Sequence, residues 1–214
     1  MTPQQTLSFQ GRPEVKEFYL TRARAHRQAD EILKGQYWAD GKGCAVGCLI
    51  HGDRHEELAR ELGIPVPMAY LIDLLFEGQP NDTAKDFPVR FVEAIPVGVD
   101  LEPVMDRFFL ALLSDPEQGV LLSANDAVRE PIEAVIKLYR RQVEGDPPSR
   151  DEWSAADSAA DSAANRAAYS AAYRAAYSAA YSAADSNHTL WQAEILLSLL
   201  TQAGSQQPKE MAHA

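Results

Sequence analysis

A glycine-rich stretch from Gly35 to Gly52 contains the residues best suited to bind a small anion. Within it, Gly41-Lys42-Gly43 precedes an apolar run that is expected to form a short helix. Glycine N–H groups can converge on an anion, and a helix start adds the positive end of its dipole. The lysine would add a mobile positive charge, and the neighbouring aromatic rings could stack on a nucleobase. The ligand-binding residues predicted in this stretch are Tyr37, Trp38, Gly41, Lys42, Gly43 and His51.

This glycine pattern differs from the loop of P-loop nucleotide-binding proteins in two respects. Gly35 lies one residue too far from Gly41-Lys42, and Gly43 stands where a Ser or Thr should hold magnesium. Two interpretations remain open. The stretch is either a general phosphate cradle or a tight structural turn whose glycines allow close helix packing.

The cysteines and histidines of the same stretch suggest a second kind of chemistry. Cys44, Cys48, His51 and His55 fall at i, i+4, i+7 and i+11, on one face of a helix. Neighbouring pairs could share a zinc ion, but the ends of a straight helix would be about 16 Å apart. A Cys48–His51 nucleophile pair would also need a third, orienting group. We therefore predict small core cysteines and a polar contact from His51, with no catalytic residue, metal or cofactor.

A four-residue unit repeats eight times between Ser154 and Asp185, as SAAD SAAD SAAN RAAY SAAY RAAY SAAY SAAD. Alanine has the highest helix propensity, so the repeat predicts one helix about 48 Å long. The tyrosines recur at i, i+4 and form a slanted ridge. They either cover a core or line a pocket or protein interface. On the pocket interpretation, Tyr169, Tyr173 and Tyr177 join the predicted ligand-binding residues.

Composition and charge limit the classes of partner. Hydrophobic residues make up 46% of the chain, which excludes disorder throughout. A net charge of −11 argues against binding bulk nucleic acid or an anionic membrane, but it allows a small anion in a locally basic pocket. Two closely spaced cysteines, a polar N-terminus and the lack of a long apolar run predict a cytoplasmic protein without a membrane span.

Helix start and stop signals recur along the chain and predict an all-α fold. An irregular multi-helix domain over residues 13–145 follows a flexible arm over residues 1–12. The Gly145–Pro148 stretch is the clearest internal boundary.

The remaining residues are predicted to form a helical pair. Ser149 and Glu152 make a capping-box pattern that starts the long Ala-rich helix. Ser186–His188 interrupts this helix, and a C-terminal amphipathic helix then folds back as a hairpin, so that residues 149–203 form one unit. A flexible tail covers residues 204–214.

Four blocks precede the repeat along the chain: GKGCAVGCLIHG, ELARELGIP, LIDLLFEGQPND and FVEAIPVGVDL. Together with the Ala/Tyr tetrads, they resemble an uncharacterised family associated with phage and prophage genes. The resemblance runs from about Gly35 to Asp185 and brings no established catalytic residues. It implies a small counter-defence protein, of the kind that traps immune signals as an oligomer.

We therefore expect a non-enzymatic binding protein that sequesters a small phosphate-containing nucleotide signal without cleaving it. A homo-oligomer is expected as well, because the long helix and its amphipathic partner offer surfaces for self-association. The first alternative is a protein–protein inhibitor or adaptor that acts through the Ala/Tyr helix. The second is an enzyme that uses Cys48 and His51 or a metal.

Overall fold

The computed structural model describes residues 7–159 and 182–205, and it confirms the predicted all-α class. A single two-stranded hairpin is the only sheet among these residues. The described chain divides into two compact units. The first contains residues 7–105 and 189–205, and the second contains residues 106–159 and 182–188.

The first unit contains a short hairpin and six complete helices among its described residues. Helix α7 (Glu102–Ser114) begins in it, and helix α11 (Ser182–Ala203) ends in it. The complete elements are α1 (Pro13–Gln28), β1 (Trp38–Ala39), β2 (Lys42–Gly43), α2 (Ala45–Ile50), α3 (His55–Leu62), α4 (Val66–Gly78), α5 (Asn81–Ala84) and α6 (Phe87–Ala94).

Local signals in the sequence explain several of these helix ends. Pro13 is the first residue of α1, where its missing N–H leaves no hydrogen bond unmade. Gly63 ends α3 in the left-handed conformation, at φ 63°, which glycine adopts without steric cost. The helices pack around a core of fully buried side chains that includes Phe76, Phe87, Phe91, Leu49, Leu58, Met68, Ile72 and Leu75.

The residues just before α1 are part of this unit, which corrects the prediction of a flexible arm over residues 1–12 for its described part, residues 7–12. Ser8–Gly11 forms a short 3-10 turn, and Phe9 is fully buried. The backbone of Ser8 donates to the carbonyl of Val99 and accepts from the amide of Gly98, both at 2.9 Å. Burial of one aromatic ring and these hydrogen bonds therefore outweigh the polar composition of the segment.

The second unit contains the end of α7, helices α8 (Val120–Ser123) and α9 (Asp126–Glu144), and a helix α10 over residues 150–159. The predicted capping box starts α10: the amide of Ser149 donates to Glu152 Oε2 at 2.7 Å, and the amide of Glu152 donates to Ser149 Oγ at 3.3 Å. The Tyr139 ring contacts the rings of Phe109 and Trp153. The predicted boundary at residues 145–148 is a connection inside this unit.

The Ala/Tyr repeat falls largely outside the described residues, which stop at 159 and resume at 182. Tyr169, Tyr173 and Tyr177 therefore lie outside them, and so does the predicted hairpin between the repeat helix and the C-terminal helix. Ser186–His188 is described, and α11 runs through this predicted interruption without a break. Within the described residues, no helix is both long enough and apolar enough to cross a membrane.

The burial of Phe9 gives a direct test of the fold. Phe9→Ala should lower the free energy of unfolding by about 3–5 kcal/mol, because it leaves a cavity in the core. Phe18→Ala is the matched control, since Phe18 is 52% exposed and its loss should cost about 1 kcal/mol or less. Urea denaturation measures both values. Equal, small losses for the two variants would mean that the turn before α1 is not packed.

Candidate ligand-binding site

The β1–β2 hairpin positions four of the residues predicted to bind a ligand: Trp38, Gly41, Lys42 and Gly43. Trp38 pairs with Gly43, and Ala39 pairs with Lys42. The turn between the strands uses Asp40 and Gly41, both at positive φ, as tight hairpin turns require. The predicted glycine loop is therefore a hairpin turn rather than an open loop.

One backbone amide of the predicted phosphate cradle, that of Gly43, is already bonded within the protein. The amide of Gly43 donates to the carbonyl of Glu31 at 3.0 Å, and the carbonyl of Gly43 accepts from the amide of Leu33 at 2.8 Å. The amide of Cys44 donates to the carbonyl of Gln36 at 2.7 Å. Because these two amides already have acceptors within the protein, the prediction that Gly43 binds phosphate through its backbone is not supported.

The glycines instead allow a close backbone contact. A Cβ atom on Gly43 would lie 1.9 Å from the carbonyl oxygen of Tyr37, and one on Gly47 would lie 1.5 Å from the same atom. Any side chain at these positions would collide with the carbonyl. The geometry thus favours the second interpretation of the stretch, in which glycines serve packing.

This contact predicts an unequal response to alanine in two glycines close together in the chain. Gly47→Ala should destabilise the protein by at least about 2 kcal/mol, since a backbone carbonyl cannot move aside easily. Gly52→Ala is the control and should change stability by no more than about 0.5 kcal/mol, because the nearest atom would be 3.8 Å from its Cβ. Thermal or urea unfolding distinguishes them, and equal effects would contradict the packing role.

Both cysteines are buried, in agreement with their predicted role as core residues. The thiol of Cys48 donates to the carbonyl of Gly43 at 3.3 Å, and Cys44 caps the start of α2 by accepting from the amide of Gly47. Burial raises the pKa of each thiol to about 12. A reactive Cys48 thiolate paired with His51, one form of the enzyme alternative, is therefore not supported.

The raised thiol pKa values predict slow chemical labelling. Native protein at about pH 8 should react with dithiobis-nitrobenzoate at less than about one hundredth of the rate of a free thiol, because little thiolate forms and the reagent cannot reach it. Unfolding in guanidinium should expose both cysteines and give two equivalents of released thionitrobenzoate. Fast labelling of one cysteine in the folded protein would contradict this assignment.

A recess of about 260 Å³ opens beside the hairpin and is lined by Gly35, Gln36, Tyr37, Cys44, Asp73 and Glu77. Asp73 and Glu77 lie one turn apart on α4. Both carboxylate oxygens of Glu77 accept from the amide of Gly35, at 2.9 and 3.0 Å. Asp73 Oδ2 lies 3.2 Å from His55 Nε2, whereas Asp73 Oδ1 is buried without a hydrogen-bond partner among the described residues.

Aromatic rings meet at the edge of this recess. The rings of His55 and Tyr70 are stacked, with centroids 4.3 Å apart, and the Tyr37 ring meets His55 edge-on at 5.7 Å. Tyr37 is 47% exposed, so its ring is available to a ligand. The recess therefore combines an aromatic surface with hydrogen-bond acceptors.

The electrostatic character of the recess is negative. The charge of Asp73 is the main cause that raises the pKa of the Tyr37 hydroxyl. None of the described lining residues is Lys or Arg. The recess therefore favours ligand groups that donate N–H hydrogen bonds and disfavours phosphate.

His51 contacts a different set of residues and does not line the recess that contains these carboxylates. It caps the end of α2 in the left-handed conformation and stacks on Trp38, with ring centroids 4.4 Å apart. Its Nε2 atom lies 2.9 Å from His26 Nε2, and His26 Nδ1 lies 2.7 Å from Glu31 Oε2. His51 is thus a polar residue with a defined partner, as part of a chain of three titratable groups.

The structure brings some of the predicted residues together and separates others. Trp38 and His51 are in contact, whereas Tyr37 contributes to the recess. Lys42 is exposed on the hairpin. The hydrogen bond and charge of Lys85 lower the pKa of Asp30, and Lys42 adds only a small effect in the same direction.

Four residues of the site were missed by the sequence analysis: His26, Glu31, Asp73 and Glu77. Asp73 and Glu77 carried a signal, because they are the only acidic residues of an otherwise apolar helix and are spaced i, i+4. His26 and Glu31 flank the end of α1 and carried no comparable signal.

The cysteines and histidines at helical spacing have separate partners rather than a common one. Cys48 bonds to Gly43, His51 to His26 and His55 to Asp73. Across the described residues, no group of three or more His, Cys, Asp and Glu side chains is arranged to hold a metal ion.

Comparison with known proteins gives no family assignment. No protein-family model matches the chain, and no curated protein or solved structure is significantly similar to it. The resemblance to a phage-associated family therefore stays a prediction, and functional inference depends on the geometry of the site.

Proposed function

We propose that this protein sequesters a small nucleotide-like molecule without cleaving it and holds the base of that molecule in the recess beside Tyr37. The observation that carries the proposal is the recess itself, where an exposed aromatic ring stands next to the carboxylates of Asp73 and Glu77. A planar base can stack on the ring while its amino groups donate to the carboxylates. Such a combination of apolar surface and few polar groups is typical of small-molecule sites.

The orientation of the ligand differs from the sequence-based prediction. The carboxylates of Asp73 and Glu77 repel a phosphate group, and the amide of Gly43 is already bonded. The phosphate of the proposed ligand therefore stays outside the recess, and the base enters it.

Binding without cleavage is supported by the chemistry of the recess. Cys44 is the lining residue best suited to act as a nucleophile, and burial raises its pKa to about 12. A thiol that is neutral at physiological pH is a poor nucleophile.

The cellular setting of the proposal comes from the resemblance alone. On that basis the ligand is an immune signal, the protein acts in the cytoplasm of an infected host cell, and it forms a homo-oligomer. The protein–protein inhibitor alternative rests on the Ala/Tyr repeat, most of which lies outside the described residues.

Two single substitutions separate a base in the recess from a phosphate at the glycine turn. Tyr37→Ala should weaken nucleotide binding by about 10-fold, because it removes the stacking surface. Lys42→Ala should change affinity by less than about 2-fold, since a single exposed charge contributes little. Titration calorimetry with a panel of mono- and dinucleotides measures the affinity of both variants. Ligand released from the protein by heating and analysed by mass spectrometry should be intact.

Three results would contradict the proposal. No measurable heat with any nucleotide would remove the binding function. A loss of affinity in Lys42→Ala but not in Tyr37→Ala would move the ligand to the glycine turn. Cleaved ligand after release would replace sequestration by catalysis.

A further inference from the structure

Glu31, His26 and His51 form a continuous chain of hydrogen bonds, here called the histidine relay. The carboxylate of Glu31 only accepts, so His26 Nδ1 carries the proton of the first bond. With both rings neutral, His26 Nε2 is then an acceptor, and His51 Nε2 must donate to it. This assignment leaves Nδ1 of His51 as an unprotonated acceptor.

The geometry of the two rings suits a shared proton rather than a shared metal ion. The facing nitrogen atoms are 2.9 Å apart and the ring centroids 5.1 Å apart, so each nitrogen lies close to the line that joins the centroids. The two lone-pair directions therefore oppose each other, as in a linear N–H···N hydrogen bond. A metal would require both lone pairs to converge on a point beside that line.

The surroundings of His51 leave its Nδ1 atom available. The residue is exposed, its ring is held by the stack on Trp38, and Nδ1 makes no hydrogen bond to any described residue. By contrast, the side chain of His26 is only 11% exposed. The relay thus runs from a half-buried carboxylate through a shielded imidazole to one accessible nitrogen atom.

A positive charge acts on His51. The guanidinium of Arg22 is fixed by donation to the carbonyl of Leu49 at 2.7 Å, two residues before His51. It also lies over the Phe18 ring, 4.4 Å from the centroid. Its charge is among the causes that lower the pKa of His51, after burial. An anionic group that approaches His51 would therefore meet a favourable field.

We propose that the histidine relay is an acid–base catalytic site, in which Nδ1 of His51 deprotonates a hydroxyl group of a small anionic phosphodiester. The substrate class follows from a base beside a fixed guanidinium, and from the net charge of −11, which disfavours a long nucleic acid. This activity goes beyond the proposed sequestration and does not rest on it, because His51 is not among the residues that line the recess. The substrate of the relay is a second molecule, distinct from the ligand that the recess holds intact.

The reaction is an internal transesterification. His51 Nδ1 takes the hydroxyl proton while the hydroxyl oxygen bonds to phosphorus, and the bond from phosphorus to the leaving oxygen breaks. A cyclic phosphodiester and an alkoxide or phenoxide form, and the proton on His51 passes to the leaving group or to solvent. His51 is the catalytic residue. Glu31 and His26 are positioning residues that fix the tautomer and stabilise the imidazolium.

A chromogenic phosphodiester with its own hydroxyl group tests this site without knowledge of the natural substrate. Hydroxypropyl p-nitrophenyl phosphate cyclises with release of p-nitrophenolate when its hydroxyl is deprotonated. The protein should accelerate this release by about 10²-fold or more over buffer, the lower end of general-base catalysis. His51→Ala should abolish the acceleration, whereas His188→Ala, a control histidine outside the relay, should retain it.

The pH profile separates the relay from a merely structural role of Glu31. The reaction needs neutral His51, so the rate should fall as the pH drops through the pKa of His51. The charge of Glu31 raises that pKa, opposing burial, Arg22 and His26. Glu31→Gln should therefore lower the maximal rate at least about 10-fold and shift the acidic limb to lower pH.

Each negative outcome of these experiments contradicts a stated part of the proposal. No acceleration by folded wild-type protein, equal activity in His51→Ala, or an acidic limb unmoved in Glu31→Gln would each overturn the relay as a catalytic site. Loss of activity in a chelator would assign the chemistry to a metal instead. None of these results bears on calorimetric binding at the recess, so this inference and the proposed function fail separately.

Discussion

The arrangement of both candidate sites depends on one backbone contact, in which the carbonyl of Tyr37 lies against Gly43 and Gly47. With any side chain on either glycine, a Cβ atom would stand within 2 Å of that oxygen. The same segment is held by the amide of Cys44, which donates to the carbonyls of Gln36 and Tyr37. The hairpin is thereby fixed against the start of α2, so its aromatic residues have defined surroundings.

Two neighbouring residues, Tyr37 and Trp38, place their aromatic rings in different sites. Tyr37 contributes to the acidic recess with Asp73, while Trp38 stacks on His51 of the histidine relay. Tyr37 is a bend residue immediately before β1, whereas Trp38 is the first residue of the strand. Because one backbone segment carries both rings, a displacement of that segment would disorganise both sites.

The sequence was sufficient where the signal is local. Helix class, the capping box at Ser149 and Glu152, and the burial of both cysteines follow from propensity and apolar patterning. Part of the candidate site was also predictable, because Tyr37, Trp38 and His51 lie in one glycine-rich stretch. The long-range partners of these residues could not be predicted. Nothing in the local sequence says that His26, in another helix, reaches His51.

The glycine turn shows why motif reasoning was misleading here. Glycines are needed both where a backbone cradles an anion and where another backbone approaches closely, and the two needs produce the same letters. Only the close approach of the Tyr37 carbonyl to Gly43 and Gly47 shows that these glycines serve packing. The polar segment before α1 was misjudged for a related reason, because the burial of Phe9 depends on tertiary packing and not on the composition around it.

The backbone conformation of His51 has a consequence for engineering the protein. Its φ of 55° lies in the left-handed region, which glycine adopts without steric cost. A residue with a Cβ atom is destabilised there by about 1–2 kcal/mol. A procedure that optimises thermostability alone would favour glycine here, as at many helix ends. Such a variant would be more stable but would lack the imidazole on which the proposed chemistry depends. Thermostability and retention of that chemistry are therefore opposing goals at this position.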